Sequence, residues 1–298
     1  MDTPHQPVLV EEVIQGLAPR PGGLYVDATL GAGGHAAAIL EKLGGEGKLI
    51  GVDCDEEILS IARRRLESYE GQVQFVLGHY EDLPEILSGL GAGPGAVDGL
   101  LIDLGVSSLQ LDRPERGFSF LREGALDMRM DLSQHETAAQ LVSRLPEREL
   151  VKIFRDWGEE PQAVRIARAI AETRRRRPLR TTRDLASLIE DLFPGGRRMR
   201  IHPATRVFQA LRIAVNHELE RLKSFLSFFP DLLRPGGRGV FLAYHSLEDR
   251  LVKRSLRQFQ REGKVKILTR KPIRPVEREL ATNPRSRSAR LRYCERCR

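Results

Sequence analysis

The connector at residues 103–131 combines acidic, basic, aromatic and thioether side chains. The apolar run from Val97 to Ile102 is typical of a buried strand, so Asp103 stands where that strand leaves its sheet. Ligands of open α/β sheets bind at the carboxyl ends of the strands. A segment that only joined two elements would be short and polar. We therefore interpret this connector as the floor of an active site for a partly charged, partly aromatic ligand, with an inert irregular loop as the alternative.

A glycine-rich turn follows the first predicted strand, running from Gly31 to Gly34 and into His35. Glycine lets the backbone approach a ligand closely, and the free N–H groups of the next helix can bind its carboxylate or phosphate. Asp53 ends the second strand, 20 residues after Gly33, where a carboxylate can accept both hydroxyls of a ribose. The turn lacks the third glycine of the dinucleotide fingerprint. This weakens the case for a dinucleotide, and the turn together with Asp53 suits either NAD or S-adenosylmethionine.

Strand and helix signals alternate along the chain, which predicts parallel strands with crossover helices on both faces of a sheet. Alternating apolar residues at the end of the chain, among them Leu291 and Tyr293, indicate a last strand. The other predicted strands are 24–28, 48–52, 73–77, 97–102, 239–244 and 265–268.

Helical patterns dominate the middle of the chain. One helix opens at Pro161, a second is capped by Thr182, and a long helix recurs from Thr205 through Leu222. The fold class predicted is therefore α/β, a Rossmann-like doubly wound sheet with an inserted helical domain. The predicted boundaries are 1–111 and 206–298 for the sheet domain and 112–205 for the insertion.

Charge divides the chain. Residues 1–110 hold 6 Lys and Arg against 17 Asp and Glu, a balance of −11, whereas residues 111–298 hold 42 against 24, a balance of +18. Such a basic half favours a polyanionic partner through counterion release, which indicates nucleic acid. The arginine runs are Arg174–Arg177, then Arg197, Arg198 and Arg200, and Arg285, Arg287, Arg290 and Arg292. Any single run can instead be a solvated helix end.

The sequence predicts a cytoplasmic protein with no membrane partner. Its apolar runs fall short of the roughly 20 residues of a membrane span, and its N-terminus is acidic rather than basic and then apolar. Three cysteines are too few for a disulfide framework. Cys294 and Cys297 form a C-x-x-C pair, but a structural zinc needs about four ligands, so we expect no metal.

Long blocks of the sequence resemble one known family nearly end to end. The blocks are HQPVL at 5–9, DATLG at 27–31 with GGH at 33–35, DLGVSS at 103–108 with QLD at 110–112, RGFSF at 116–120, LDMRM at 126–130, HPATR at 202–206 with FQALRI at 208–213, HSLEDR at 245–250 and NPRSRSA at 283–289. They resemble the bacterial methyltransferases that methylate N4 of a cytosine in small-subunit ribosomal RNA. Tyr80 and Tyr244 stand where that family commonly has Phe.

The resemblance implies a class I S-adenosylmethionine-dependent methyltransferase whose helical insertion recognises the substrate. The implied reaction transfers a methyl group from S-adenosylmethionine to N4 of a cytosine in the decoding region of 16S rRNA, met as RNA or within the small ribosomal subunit. The oligomeric state is left open, with a homodimer as one possibility.

The resemblance also implies residue roles. Gly33, Gly34 and His35 contact the amino-acid end of the cofactor, and Asp53 its ribose. Tyr80 and Asp103 border the adenine, and Gln110 contacts the cofactor from the connector. We expect RNA contacts from the basic half at Arg174, Arg175, Arg176, Arg177, Arg285 and Arg287.

The chemistry of an exocyclic amine leaves several roles open. Acceptors for its N–H groups would help N4 attack, and Asp103 can serve either this amine or the adenine. Other amino-methyltransferases use a proline carbonyl after the acidic residue; here the carbonyl near Gly105 takes that place. His245 either borders the target base or is a structural histidine. Phe118 and Phe120 either stack on the cytosine or anchor the core.

Two other classes of protein remain alternatives at this point. An NAD-dependent oxidoreductase is disfavoured by the incomplete glycine fingerprint. A non-catalytic RNA-binding or assembly factor would keep the fold and the basic half but not the methyl transfer.

Overall fold

The computed structural model describes residues 7–193 and 201–298. His5 and Gln6 of the first sequence block, and Arg197, Arg198 and Arg200 of the second arginine run, lie outside the described residues. Within the described ranges no helix is long and apolar enough to cross a membrane.

The elements follow the predicted alternation closely. The strands are β1 (Leu24–Asp27), β2 (Lys48–Asp53), β3 (Val73–Leu77), β4 (Val97–Asp103), β5 (Leu233–Ala243), β6 (Val265–Ile267) and β7 (Arg290–Arg296). The helices are α1 (Val10–Leu17), α2 (Gly34–Leu43), α3 (Glu56–Arg65), α4 (Leu83–Gly89), α5 (Ser108–Asp112), α6 (Ala138–Arg144), α7 (Glu147–Asp156), α8 (Ala163–Arg174), α9 (Thr182–Leu192), α10 (Thr205–Asn216), α11 (Glu218–Leu232), α12 (Ser246–Arg261) and α13 (Glu277–Thr282).

The strands of the described chain form one seven-stranded sheet in the order β3-β2-β1-β4-β5-β7-β6. β1 to β5 pair in parallel, whereas β7 runs antiparallel to both β5 and β6. The strand order reverses between β1 and β4, which is the switch point where ligands of such sheets bind. The predicted fold class is confirmed, and so is the last strand.

Apolar cores pack on both faces of the sheet because neighbouring residues of a strand point to opposite sides. Tyr25 of β1 belongs to a core with Ile39 of α2, whereas Val26 belongs to a core with Phe225 and Phe229 of α11. With both faces covered, polar side chains collect at the strand ends.

The chain divides into two compact units, residues 1–105 with 219–298, and residues 106–218. The second unit, called the helical unit below, has its own core, which includes Phe154 of α7 and Ile166 of α8. Phe118 is buried in this core, and Phe120 packs edge-to-face on Phe208. Both aromatic rings therefore have a packing role.

The helical unit extends further at each end than the predicted insertion, 112–205. Val106 and Leu111 pack against its core, and Leu211 and Val215 of α10 belong to it. The connector after β4 and the whole of α10 are thus bound to the helical unit by apolar contacts.

Three predicted helix limits were wrong. The helix expected from Thr205 through Leu222 is two helices, because His217 adopts a left-handed backbone with φ of 52°. Thr181 rather than Thr182 caps α9, and its side chain accepts a hydrogen bond from the Asp184 N–H at 3.1 Å. The helix expected from Pro161 begins at Ala163.

Candidate active site

Three carboxylates end three adjacent strands of the sheet. Asp27 ends β1, Asp53 ends β2 and Asp103 ends β4, and these strands lie in the order β2-β1-β4. Asp27 pairs with Gly51 and Leu101, so the other two carboxylates stand two residues further along their strands. Parallel strands bring all three to one edge of the sheet, where their charge favours a ligand with cationic and hydrogen-bond-donor groups.

Asp27 is the most buried of the three, with 1% of its surface exposed. Burial raises the pKa of Asp27 to about 7. The other two carboxylates raise this pKa further, whereas His35 and the Thr29 N–H lower it. Asp27 was given no role from the sequence, although it ends an apolar strand in the same way as Asp53 and Asp103.

The Asp53 carboxylate joins the glycine turn to the end of β2. Its Oδ2 accepts a hydrogen bond from the Gly31 N–H at 2.8 Å, and its Oδ1 accepts one from the Asp55 N–H at 3.0 Å. Burial raises the pKa of Asp53 to about 6, although these N–H groups lower it. Gly31 has φ of 53°, which allows the turn to direct its N–H at Asp53. Each carboxylate oxygen has a second lone pair that a ribose hydroxyl can use.

Asp103 carries a buried acceptor. Its backbone N–H donates to Thr29 Oγ1 at 2.6 Å, which fastens the end of β4 to the turn after β1. Burial and the hydrogen bond to the Asp103 carboxylate hold the pKa of Tyr244 well above its ordinary value, so the Tyr244 hydroxyl stays protonated and donates. Oδ1 of Asp103 is buried and has no hydrogen-bond partner among the described residues. A ligand N–H is the kind of group that would satisfy it.

His35 presents a second set of unpaired atoms. It lies in the first turn of α2 with 6% of its surface exposed, and its Nε2 is 3.6 Å from Asp103 Oδ2. Neither ring nitrogen has a hydrogen-bond partner in the described part of the chain. Leaving a buried polar group unpaired is costly, so these nitrogens mark a place where a bound ligand or water would complete the pairing.

The remaining glycines of the turn are required for two different reasons. Gly33 has φ of 76° and precedes the first residue of α2. A Cβ on Gly34 would lie 2.8 Å from Cγ of Pro7, so that glycine admits the N-terminal segment against the turn. The sequence predicted both as cofactor contacts, and the packing of Pro7 is a further reason for Gly34 that the sequence did not indicate.

Tyr80 supplies an aromatic surface near Asp53. Its ring packs edge-to-face on Phe225 of α11, with the ring centroids 5.6 Å apart. The Gly78 N–H donates to the backbone oxygen of Asp53 at 3.0 Å, which holds the start of the Tyr80 turn beside the end of β2. Tyr80 and Asp53 thus stand at the ends of adjacent strands, β3 and β2.

Gly105 follows β4 and has φ of 101°. A Cβ there would be 3.6 Å from Cδ2 of Tyr244, an ordinary contact, so the backbone conformation rather than lack of space requires glycine.

His245 begins α12. Its Nδ1 accepts a hydrogen bond from the Glu248 N–H at 3.4 Å, and its Nε2 lies 3.0 Å from Glu248 Oε1. Glu248 Oε2 accepts in return from the N–H groups of Tyr244 and His245. This capping box explains why His245 is buried and supports the structural alternative raised from the sequence.

Gln110 lies in the helical unit. Its Oε1 accepts a hydrogen bond from the Ser107 N–H at 3.0 Å, and Ser107 Oγ accepts from the Gln110 N–H at 3.2 Å. A capping box at the start of α5 is therefore one role of this buried side chain.

The run Arg174–Arg177 divides into structural and exposed members. Arg174 donates from Nη1 to the carbonyls of Val142 and Leu145 at 2.6 and 2.7 Å, and so satisfies the end of α6. Arg177 pairs with Asp184 at 2.7 Å. Arg174 therefore has a structural role inside the helical unit, and its contact with RNA stays a prediction.

The other basic residues predicted to contact RNA lie on the surface. Arg175 and Arg176 are exposed at the end of α8, and Arg285 and Arg287 are exposed in the turn before β7.

Cys294 is a core residue. It has no exposed surface and packs with Phe259 and Val265. Burial raises the pKa of the Cys294 thiol to about 12, which opposes formation of the thiolate that a metal would need.

Comparison with known proteins identifies the family. The family model described as "MraW methylase family" matches residues 2–297. A protein of Pelobacter propionicus named "Ribosomal RNA small subunit methyltransferase H" is 48% identical over 309 residues, which cover 98% of this chain and 98% of the relative. A protein of the same name from Geobacter sp. strain M21 is 46% identical over 311 residues, covering 99% of each.

A solved structure of an S-adenosylmethionine-dependent O-methyltransferase from Thermotoga maritima aligns with a TM-score of 0.45 at 11% identity and covers 99% of this chain and 68% of that chain. The family model spans nearly all of the sequence, and the relatives align end to end. The chain therefore belongs to the MraW methylase family.

Proposed function

We propose that this chain transfers a methyl group from S-adenosylmethionine to N4 of a cytosine in the decoding region of 16S rRNA. The observation that carries the proposal is the family match over residues 2–297, together with relatives named for methylation of small-subunit ribosomal RNA at 46–48% identity. We place this reaction in the cytoplasm.

The residues at the strand ends fit S-adenosylmethionine. Bound there, the cofactor supplies an electrophilic methyl group on its sulfonium. Asp53 would accept the ribose hydroxyls, and Tyr80 would form the wall of the adenine pocket. Gly33, Gly34 and His35, at the start of α2, would receive the carboxylate and amino groups of the methionine end. The ring nitrogens of His35, which have no hydrogen-bond partner within residues 7–193 and 201–298, support a polar ligand at this place.

Asp103 would accept a hydrogen bond from an exocyclic amine. Its buried Oδ1, which has no hydrogen-bond partner among the described residues, supports this role, and the Tyr244 hydroxyl fixes the carboxylate. An acceptor on the target N4 would draw its N–H bonds away from the ring plane and expose the lone pair for attack. The carbonyl near Gly105 would be a second acceptor, and holding the amine in line with the methyl group would supply much of the rate.

The basic surface would hold RNA. Arg175 and Arg176 of the helical unit, and Arg285 and Arg287 before β7, would contact phosphates rather than bases. His245 stays a candidate border of the target-base pocket, in addition to its cap.

Labelled methyl transfer tests this function directly. The chain is incubated with methyl-labelled S-adenosylmethionine and small subunits that lack the modification, and the RNA is digested to nucleosides. We expect the label in N4-methylcytidine. Binding of RNA without any transfer would instead identify a non-catalytic factor, and label on another nucleoside would contradict the N4 assignment.

The Asp103→Asn variant separates the two possible positions of Asp103. Turnover should disappear in either case. If the affinity for S-adenosylmethionine also falls, Asp103 serves the adenine; if that affinity is kept, Asp103 serves the target amine. Substantial turnover in a folded variant would remove Asp103 from the site.

A further inference from the structure

Helix α12 presents a stripe of four arginines, Arg250, Arg254, Arg257 and Arg261, called the arginine stripe below. All four are exposed. Their spacings of four, three and four residues place them on one face of the helix. At 1.5 Å per residue the stripe is about 16 Å long.

The carboxylates nearest in sequence are engaged elsewhere. Glu248 is buried in the cap with His245, and Asp249 is paired with Arg292 at 2.6 Å. Glu262, just beyond the helix, accepts a hydrogen bond from Gln258 and lies 3.4 Å from Lys264. None of these acids is paired with Arg254, Arg257 or Arg261 among the described residues, so the charge of these three arginines is available to a partner.

The stripe is held on a rigid support. The opposite face of α12 buries Val252, Leu256 and Phe259 in the core of the sheet. Ser255 Oγ donates to the Leu226 carbonyl of α11 at 3.2 Å. The Asp249–Arg292 pair also ties the helix to β7. A pre-organised row of charges loses less entropy on binding than a flexible one.

The stripe starts at the edge of the sheet that carries the candidate active site. α12 begins three residues after Ala243, the last residue of β5, and Tyr244 in that turn hydrogen-bonds to Asp103. Arg250 is in the second turn of the helix. The row of charges therefore leads away from the strand ends where the target nucleotide would be held.

We propose that the arginine stripe binds the phosphates of the RNA strand next to the target nucleotide. The proposal rests on the proposed function, because it assigns an RNA surface to that same site. One strand of a nucleic-acid duplex carries about five phosphates over the length of the stripe. Arginine suits this partner because its planar guanidinium can hold phosphate oxygens in pairs.

The test compares three double variants in the methyl-transfer assay. Arg254→Gln/Arg257→Gln removes the central charges, and Arg254→Lys/Arg257→Lys keeps them. Arg64→Gln/Arg65→Gln is the matched control, because it removes two exposed arginines at the end of α3 in the same unit. The measured quantities are the KM for RNA at several salt concentrations, the kcat, the affinity for S-adenosylmethionine and the thermal midpoint.

We expect the glutamine variant of the stripe to raise the KM for RNA on the order of tenfold at low salt. Its log-log salt slope should fall by about 0.7 to 0.9 for each arginine removed. The kcat and the cofactor affinity should stay unchanged. The α3 variant should behave like the wild type, and the lysine variant, which keeps the charge, should keep the wild-type salt slope.

Suppose that the wild type methylates RNA. An unchanged KM for RNA and an unchanged salt slope in the folded Arg254→Gln/Arg257→Gln variant would then overturn the inference. Absence of methylation by the wild type would instead overturn the proposed function. Loss of binding to phosphatidylserine vesicles with unchanged RNA kinetics would assign the stripe to a membrane surface and also overturn the inference. An equal loss in the α3 control would show a general charge effect and refute a specific stripe.

Discussion

At the scale of single residues, the sequence located two of the three strand-end carboxylates by the apolar runs that precede Asp53 and Asp103. The same signal was present at Asp27. Its burial could not be predicted, because it results from neighbours on β2, β4 and α2 that are distant in sequence. The hydrogen bond between Tyr244 and Asp103 could not be predicted either, since it joins residues 141 positions apart.

Asp53 and Asp55 form a matched pair that separates binding from stability. Asp53→Ala should weaken S-adenosylmethionine binding by about 1.5 to 3 kcal/mol, the loss expected for hydrogen bonds to a charged acceptor. Asp55 is the N-cap of α3, so Asp55→Ala should cost about 1 kcal/mol of unfolding free energy. Titration calorimetry and urea unfolding measure the two effects. Unchanged cofactor affinity in a folded Asp53→Ala variant would exclude the ribose role.

Asp27 should impose a pH dependence on stability. Its pKa of about 7 in the fold lies above the unfolded value, so the native state binds the extra proton between about pH 4 and pH 7. The wild type should therefore lose unfolding free energy as pH rises through this window, by at most about 4 kcal/mol. Asp27→Asn should lack this loss, so its stability relative to the wild type should rise with pH and level off above pH 7.

Urea unfolding of both proteins at a series of pH values measures the difference. Asp53→Asn is the comparison. Its stability relative to the wild type should stop rising near pH 6, because the pKa of Asp53 is about 6. Parallel stability curves for Asp27→Asn and the wild type would show that Asp27 is not held in its neutral form.

At the scale of elements, apolar patterns predicted every strand of the sheet, because buried strands leave a signal of continuous or alternating apolar residues. Helix limits were less accurate. The apolar period continues across His217, so the pattern gave no sign of the left-handed residue that separates α10 from α11. The run Arg174–Arg177 likewise has one composition but two roles, which depend on carbonyls and carboxylates of other elements.

That division predicts that changes within one run affect different properties, stability at Arg174 and RNA binding at Arg175 and Arg176. Arg174→Ala should lower the unfolding free energy by about 1.5 to 3 kcal/mol, because charged donors to two carbonyls are lost. The unfolding free energy of Arg175→Gln/Arg176→Gln should stay within about 0.5 kcal/mol of the wild-type value. The double variant should weaken RNA binding and reduce its salt slope by up to about 0.7 to 0.9 per residue.

Thermal unfolding and filter binding at several salt concentrations measure the two properties. The same salt slope in the double variant and the wild type would identify Arg175 and Arg176 as a solvated helix end.

At the scale of the whole molecule, alternating strands and helices predicted the parallel part of the sheet and the helical insertion. The position of β7 was not predicted, because it pairs with β5 across about fifty residues and lies between two strands that precede it in the chain. The division of charge along the sequence, −11 and then +18, does not coincide with the two compact units either. The basic part includes α12 and β7 of the sheet unit, and for that reason an RNA surface need not be confined to the helical unit.

The position of β7 decides how the basic tail should be tested. A chain that ends at Thr282 would lose a strand paired on both sides, together with the fully buried Leu291 and Cys294. We expect it to be insoluble or to lack a cooperative thermal transition, so its loss of RNA binding would carry no information about Arg285 and Arg287. Arg285→Gln/Arg287→Gln keeps the strand, because both side chains are exposed before it begins. This variant should unfold like the wild type and bind S-adenosylmethionine equally well, while binding RNA more weakly with a lower salt slope. Wild-type RNA affinity in this variant would limit the tail to its structural role in the sheet.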